Sequence, residues 1–260
     1  MIRWRSLIKP LFFMVLPFVL VYAGGALAQA INIDLGANAG GSSARRMFQL
    51  MALLTVLSLA PSILLMVTSF TRIIVVLSLL RSAIGIQQTP PNPVLISLAL
   101  FLTLFIMQPV FEKAYDDGIQ PLIQEKISEQ QAWDRTVAPF RDFMLTHVRE
   151  KDLKLFLEMA KVPEVAAPAD TPLKALIPAF MISELRRAFE IGFLIFVPFL
   201  IIDMVVASTL MAMGMMMLPP VLISLPFKLI FFVLVDGWNM LSESLVKSFG
   251  VGPSIPGMPS

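Results

Sequence analysis

The amino-terminal residues show a short apolar run behind a basic start. Three basic residues fall within the first nine positions, an apolar run covers residues 11–22, and an Ala-Leu-Ala triplet ends at Ala28. This order is typical of a secretory signal peptide, residues 1–28, that is cleaved after Ala28. The alternative is an uncleaved first membrane helix. Residues 29–46 are rich in Gly, Ala, Ser and Asn without an apolar period, and they predict a flexible leader.

Residues 47–111 contain two long apolar stretches and predict a first helical hairpin. As one helix, residues 47–80 would be roughly 50 Å long, whereas the hydrocarbon core of a bilayer is about 30 Å thick. The stretch is therefore not one simple span, and Pro61 predicts a break within it. The proline-rich residues 86–93 cannot continue a helix and predict the turn, after which the apolar pattern returns over 94–111.

Residues 112–172 are the one extended stretch with a water-facing character. They carry 12 acidic and 8 basic residues, a net charge of −4. Within them, two groups of apolar residues recur at helical spacing and predict two short amphipathic helices. The first group is Phe140, Phe143, Met144, His147 and Val148, and the second is Leu153, Phe156, Leu157 and Ala160.

Residues 173–248 predict a second apolar hairpin. In its central part only Asp203 and Lys228 are charged, and a proline pair divides the stretch into two arms. Between the arms lie residues 211–217, here called the methionine turn, in which five methionines surround one glycine.

These elements predict an all-α protein: two long helical hairpins of membrane-protein composition, a small amphipathic helical region between them, and a flexible tail over residues 249–260. The composition agrees, because 57% of the residues are hydrophobic and the mean hydropathy is +0.81, above the roughly 45–50% apolar share of soluble domains. The absence of cysteine excludes disulfides and thiolate sites. A net charge of +2 without a basic stripe argues against nucleic-acid binding.

The sequence gives no support for an enzyme. It contains no glycine-rich phosphate loop, no HExxH helix and no GxSxG elbow. His147 is the only histidine and has no second ligand at metal-binding spacing, so we expect it to be structural. The sequence thus predicts no catalytic residue, no metal and no cofactor.

The distribution of charge conflicts with two simple membrane hairpins. Lys and Arg should gather on cytoplasmic loops, yet the methionine turn carries no charge and two Arg-Arg pairs flank the opposite ends of the hairpins. Arg72, Asp203 and Lys228 would each cost roughly 2.5–3.5 kcal/mol at hydrocarbon depth unless paired. We therefore expect these charges to pair in interfaces between subunits. The alternative for each is a private pair within one chain.

Several strings of the sequence carry a resemblance to a known family. They are PAFMISELRRAFEIGF at 178–193, VPFLIID at 197–203, MGMMMLPP at 213–220, PSILLMVTSFTRIIVVLSLLR at 61–81 and QTPPNP at 88–93. With these strings the chain resembles, over about residues 45–250, the FliP family, the P subunit of the export gate in flagellar and virulence type III secretion systems.

The resemblance implies an assembly and a location. The expected partners are further copies of the chain (five in the family), FliQ-like and FliR-like gate subunits, FlhA-like and FlhB-like export proteins, and the unfolded proteins that are exported through the centre. The expected site is the bacterial inner membrane at the flagellar basal body, with the soluble region on the periplasmic side. We prefer flagellar over virulence cargo, because the signal peptide and the long soluble middle look like flagellar members.

The resemblance also gives the methionine turn a role. Methionine is unbranched and polarisable and fills irregular gaps, so a ring of methionines from several subunits could seal around a passing polypeptide. Gly214 would give the turn freedom, while Pro219 and Pro220 would limit its movement. The alternative is that the methionines fill a core or contact lipid. The predicted gasket is Met211 and Met213 at the base, with Met215, Met216 and Met217 facing the pore.

Two further predictions concern contacts between subunits. We expect Glu184 to make one of them, and the alternative is that it is an ordinary charge on the helix surface. For Phe143 and Phe156 a place in the local core is the commoner outcome, and packing on a neighbouring protomer is the alternative we retain as a candidate.

Two other functions remain open. One is a solute channel or secondary transporter with Arg72, Asp203 and Lys228 along its path. Such transporters often have related halves, and the two hairpins share no evident pattern. The other is a structural scaffold without a pore, which would leave the methionine turn unexplained.

Overall fold

The structure, a computed structural model, describes residues 43–86, 88–162, 170–215 and 217–250. All regular elements in these ranges are helical, which confirms the predicted all-α class. The predicted signal peptide, most of the predicted leader and residues 251–260 lie outside the described residues.

The helices follow one another with short connections. In chain order they are α1 (Ser43–Met66), α2 (Phe70–Ile84), α3 (Asn92–Ala114), a π-helical turn (Tyr115–Ile119), α4 (Gln120–Ile123), α5 (Glu129–His147), α6 (Glu150–Met159), α7 (Leu173–Ala212), α8 (Pro220–Leu234) and α9 (Gly237–Lys247). The helix α1 includes the last residues of the predicted leader.

The described residues divide into two compact units. The first comprises residues 43–67 and 108–139, and the second comprises the remainder. In the second unit α2, α6 and α8 each pack against α7. The long helix α7 is thus the element around which this unit is built.

The predicted break at Pro61 is wrong. Helix α1 continues through Pro61 and ends at Met66, and residues 67–69 separate it from α2. At the start of α2 the Phe70 N–H donates to the Thr68 hydroxyl oxygen (3.4 Å). A proline inside a helix removes one backbone donor without always ending the helix.

The predicted turn after α2 is confirmed. Gly85 ends α2 with a φ of +91°, and its N–H donates to Ser82 O (3.1 Å). The Arg81 guanidinium donates to Asn92 Oδ1 (2.6 Å) and to Pro90 O (3.3 Å). These bonds hold the end of α2 beside the start of α3.

The two predicted amphipathic helices are also confirmed, as α5 and α6. Their buried side chains include Met144 and His147 on α5, as the helical spacing predicts. The predicted flexible tail needs correction at its start, because Phe249 is buried in the second unit.

Helix α7 follows Pro172 and runs for 40 residues, with Pro178 and Pro198 inside it. At about 1.5 Å per residue it is about 60 Å long, twice the thickness of a bilayer core. Gly192 on α7 lets α2 approach closely, because a Cβ at this position would lie 2.3 Å from Cδ1 of Leu79 on α2. By length and composition, three helices in the described residues could cross a membrane, or four if α8 and α9, bent by 62°, form one span.

Candidate functional site

The methionine turn has a defined backbone where it leaves α7. Gly214 has a φ of +74°, a left-handed conformation that glycine adopts without steric penalty. The Gly214 N–H donates to Met211 O (3.0 Å) and the Met215 N–H to Leu210 O (3.0 Å). This Schellman pair satisfies carbonyls that α7 leaves without helical partners. Gly214 therefore terminates α7, and its predicted role as a hinge stays a prediction.

The proline pair defines the start of the second arm. Pro219 has extended backbone angles (φ −68°, ψ 115°), and Pro220 is the first residue of α8, where the missing N–H of proline has no helical partner to lose. The Leu222 N–H donates to Pro219 O (3.1 Å). The predicted role of these prolines in limiting movement of the turn stays a prediction.

The methionines of the turn are exposed in the single chain. The four that the structure describes fill no core of this chain, so contact with lipid is the part of the alternative that stays open, and Met216 lies outside the described residues. The exposed fractions are 56% for Met211, 55% for Met213, 42% for Met215 and 98% for Met217.

A buried lysine joins three helices at the base of the hairpin. Lys228 Nζ on α8 donates to Asp203 Oδ2 on α7 (2.7 Å) and to Ala83 O in the last turn of α2 (3.2 Å). The Ser224 hydroxyl donates to the other carboxylate oxygen, Asp203 Oδ1 (2.6 Å). The Lys228 side chain is 5% exposed, whereas that of Asp203 is 36% exposed.

A second buried ion pair joins α2 to α7. Arg72 Nε donates to Glu184 Oε2 (2.8 Å) and Nη2 to Oε1 (2.5 Å), with the side chains 1% and 0% exposed. Arg72 Nη1 also donates to Ser248 O (3.1 Å) and Ser248 Oγ (2.9 Å). The guanidinium carbon lies 3.7 Å from the centre of the Phe249 ring, within the range of a cation–π contact.

These two pairs correct the prediction that the four charges pair between subunits. Arg72, Glu184 and Lys228 are enclosed by their own chain and already paired there. For Arg72 and Lys228 this is the intrachain arrangement that was the alternative, whereas Glu184 is neither an intersubunit contact nor a surface charge. The physical reason is that a buried charge needs a close partner, and the helices of one chain supply it. For Asp203, whose side chain is partly exposed, an additional contact with another subunit stays a prediction.

The two candidate packing phenylalanines differ. Phe143 is buried, with its ring centre 5.9 Å from that of Phe180 and 6.0 Å from that of Phe249. It belongs to the local core, which was the commoner expected outcome, and the retained candidate, packing on a neighbouring protomer, is corrected for this residue. Phe156 on α6 is half-buried, so packing on a neighbour stays a prediction for this residue.

His147 has a structural place beside this aromatic group. Its Nδ1 lies 2.8 Å from Phe143 O, and because a carbonyl only accepts, Nδ1 carries the proton. Burial lowers the pKa of His147 below its ordinary value of 6.5, and the positive charges of Arg72 and Arg187 lower it further, against the raising effect of the bond to Phe143 O.

This lowered pKa predicts a loss of stability on mild acidification. Below pH 6.5 the unfolded chain binds a proton at His147 that the folded chain resists, so the free energy of unfolding falls by up to about 1.4 kcal/mol per pH unit until the folded pKa is reached. We expect His147→Phe to remove this part of the pH dependence. Denaturant unfolding of both proteins at a series of pH values measures it, and parallel pH profiles would contradict it.

A polar group between α6 and α7 was missed by the sequence analysis. The Ser183 hydroxyl donates to Asp152 Oδ2 (2.6 Å), the Arg149 N–H donates to Ser183 Oγ (3.1 Å), and the Arg149 guanidinium pairs with Asp152. It fixes the start of α6 to α7. Among the residues that the structure describes, no group of three or more His, Asp or Glu is placed to hold a metal.

Much of the hairpin surface is apolar and lacks a partner in the single chain. An apolar groove of about 600 Å³ runs between α7 and α8 and reaches the base of the methionine turn. Phe193, Leu194 and Met204 on α7 are each more than half exposed. Lipid or further protein must cover these side chains in a cell. The groove is lined by Ile201, Ile202, Val205, Val206, Thr209, Leu210, Met213, Ile223, Phe227 and Phe231.

Known proteins of one family match most of the chain. A family model described as the FliP family matches residues 53–245. The chain is 59% identical over 233 residues to the flagellar biosynthetic protein FliP of Caulobacter vibrioides, covering 89% of this chain and 87% of that one. It is 52% identical to the protein of that name from Agrobacterium fabrum (92% and 98% covered) and 55% identical to that from Bacillus subtilis (77% and 91% covered).

Proposed function

Because the chain belongs to the FliP family, we propose that it is a core subunit of the flagellar protein export gate. In this role it forms the pore through which unfolded proteins pass, and the methionine turn seals that pore. The observation that carries the proposal is the exposure of four methionines at the tip of a rigidly terminated hairpin. The names of the relatives, all flagellar biosynthetic proteins, favour a flagellar cargo over a virulence-related one.

The exposed apolar surface supports an assembled subunit. Helix α7 is about 60 Å long and so exceeds the membrane core by about 30 Å, yet its side chains remain apolar along most of that length. Surface of this kind beyond the lipid needs protein around it. We propose that further copies of the chain, five in all, and FliQ-like and FliR-like subunits cover it, with FlhA-like and FlhB-like proteins adjoining the gate.

The same features support a location. The candidate membrane-spanning helices favour the bacterial inner membrane, and the family favours the flagellar basal body within it. We propose that the soluble region, residues 112–172, which includes α5 and α6, lies on the periplasmic side, in agreement with the predicted cleavage of a signal peptide.

A chemical reason links methionine to a seal for varied cargo. An unfolded polypeptide presents side chains of every size, so a closing ring must adapt its shape without strong directional bonds. Methionine has three rotatable bonds and a polarisable sulfur and adapts in this way. The transporter alternative has less support, because Arg72 and Lys228 are buried in ion pairs and so are not available along a water-filled path.

Replacing Met215, Met216 and Met217 together by alanine tests the proposal. We expect small-solute leak across the cell envelope to increase while assembly, followed by native gel, stays normal, because the shorter side chains leave the ring open. A matched control replaces Met159, Met204 and Met240, which are similarly exposed but lie away from the turn. Tight membranes with normal assembly would contradict the gasket, and altered uptake of one solute would favour the transporter.

A further inference from the structure

Lys228 connects the hairpin of the methionine turn to a helix outside that hairpin. Its ammonium group bonds Asp203 on the partner arm and Ala83 O on α2. Ala83 O is one of the last four carbonyls of α2, which have no partner within the helix. A cation at the carboxyl end of a helix also interacts favourably with the helix dipole.

The contact lies at a distance from the turn but on both of its arms. Asp203 precedes the end of α7 by nine residues and Lys228 follows the start of α8 by eight, which at 1.5 Å per residue is about 14 Å and about 12 Å. The described methionines of the turn are exposed, so in the single chain its position depends on its two arms. Whatever fixes the arms to the rest of the unit therefore fixes the turn.

We propose that Lys228 is a positioning residue for the gate: through Ala83 O it fastens α8 to α2, to which the Arg72–Glu184 pair already joins α7, and so sets where the methionine turn closes. This rests on the proposed function. Asp203 and Ser224 hold the arms to each other, whereas the bond to Ala83 O is the polar connection from Lys228 to α2. The contact of the Lys228 ammonium group with Asp203 and its contact with Ala83 O can therefore be tested separately.

The charge-swapped pair separates these effects. Lys228→Met removes both contacts while keeping the apolar stem. Asp203→Lys combined with Lys228→Asp keeps an ion pair between the arms but removes the ammonium donor from Ala83 O. We expect both variants to raise leak through the closed gate about fivefold or more, the lower end of typical coupling between linked sites. Lys247→Met is the matched control, because Lys247 pairs with Glu243 on the surface of a single helix.

A distance measurement keeps the test independent of export. The chain has no cysteine, so spin labels can be attached at introduced cysteines alone. We place the two labels at Ser82 and Leu218 of the full chain and dilute the labelled chains with unlabelled ones. The labels then report the distance from the end of α2 to the methionine turn. We expect a narrow distribution in the wild-type background and a broader one with Lys228→Met, or with the milder Lys228→Gln if the methionine variant does not assemble.

The outcomes distinguish the inference from the function on which it rests. If the charge swap is as tight as the wild type, or if the distance distribution is unchanged, the α2 connection does not position the turn and the inference is overturned, even where the triple methionine variant leaks. If that triple variant is tight, the gasket itself fails. Leak and broadening together in the Lys228 variants, with Lys247→Met unchanged, support the inference.

Discussion

Replacing Arg72 by methionine is expected to destabilise the second compact unit by about 3–5 kcal/mol, because it leaves the Glu184 carboxylate buried without its cation. The carboxylate is 0% exposed and takes both of its close ionic contacts from the guanidinium. The same substitution removes the bonds to Ser248 and the cation over the Phe249 ring. One side chain therefore holds α2, α7 and the end of α9 together.

A pair of variants separates the buried charge from the packing. Arg72→Met with Glu184→Met removes both charges, and because well-packed apolar replacements of buried pairs are often neutral or stabilising, we expect it to recover most of the loss. Arg186→Met is the matched control. Arg186 pairs with Glu190 on the same helix at 56% and 58% exposure, and exposed pairs of this kind contribute little.

Denaturant unfolding of the purified chain in detergent, followed by the fluorescence of Trp238 in the second unit, measures these differences. A single Arg72 variant as stable as the wild type would contradict the argument. So would a double variant that is no more stable than the single one, because the loss would then come from packing and not from an uncompensated charge.

The sequence identified which charges are unusual but not how they are paired. Arg72 and Lys228 stand out because they interrupt apolar helices. Their partners lie 112 and 25 residues away, and no helical period relates such positions. Burial within one chain follows from how α2 and α8 lie against α7, which is a tertiary property.

Elements with a periodic or proline-rich pattern were predicted well, and the residue at which α1 ends was not. Helices α5 and α6 follow from apolar residues at helical spacing, and the turn before α3 follows from its prolines. Pro61 misled the prediction because a proline weakens a helix without always ending it, and α1 ends five residues later, at Met66.

Serine contacts have the weakest signal in a sequence. In an apolar helix a serine hydroxyl usually bonds a backbone carbonyl of its own helix. The hydroxyls of Ser183 and Ser224 each lie within hydrogen-bond distance of such a carbonyl and also of a carboxylate on another helix, and each has one proton to share between them. Nothing in the spacing of these serines marks the contact with the carboxylate. Ser224 stands four residues before Lys228, which places both on one face of α8, and that is the one indication the sequence offered.

Replacing Gly118 by alanine is expected to destabilise the first compact unit by about 1–3 kcal/mol, the usual range for overpacking. Gly118 is the buried residue of the π-helical turn that precedes α4. A Cβ there would lie 2.1 Å from Thr136 Oγ1, 2.8 Å from Thr136 N and 3.0 Å from Thr136 Cα. The Oγ1 can rotate away, but the backbone atoms can yield only if α5 shifts.

Two comparisons test whether the backbone contact sets the loss. Gly118→Ala with Thr136→Ala removes the hydroxyl and leaves the contact with the Thr136 backbone, so we expect it to recover only part of the stability. Gly192→Ala meets the end of the flexible Leu79 side chain, so we expect a smaller loss there. Unfolding followed by Trp133 on α5, with amide hydrogen exchange of that helix, measures the Gly118 variants, and unfolding followed by Trp238 in the second unit measures Gly192→Ala. Full recovery in the double variant would show that the Thr136 hydroxyl, and not its backbone, sets the loss. Wild-type protection of α5 in Gly118→Ala would show that glycine is not required at this position.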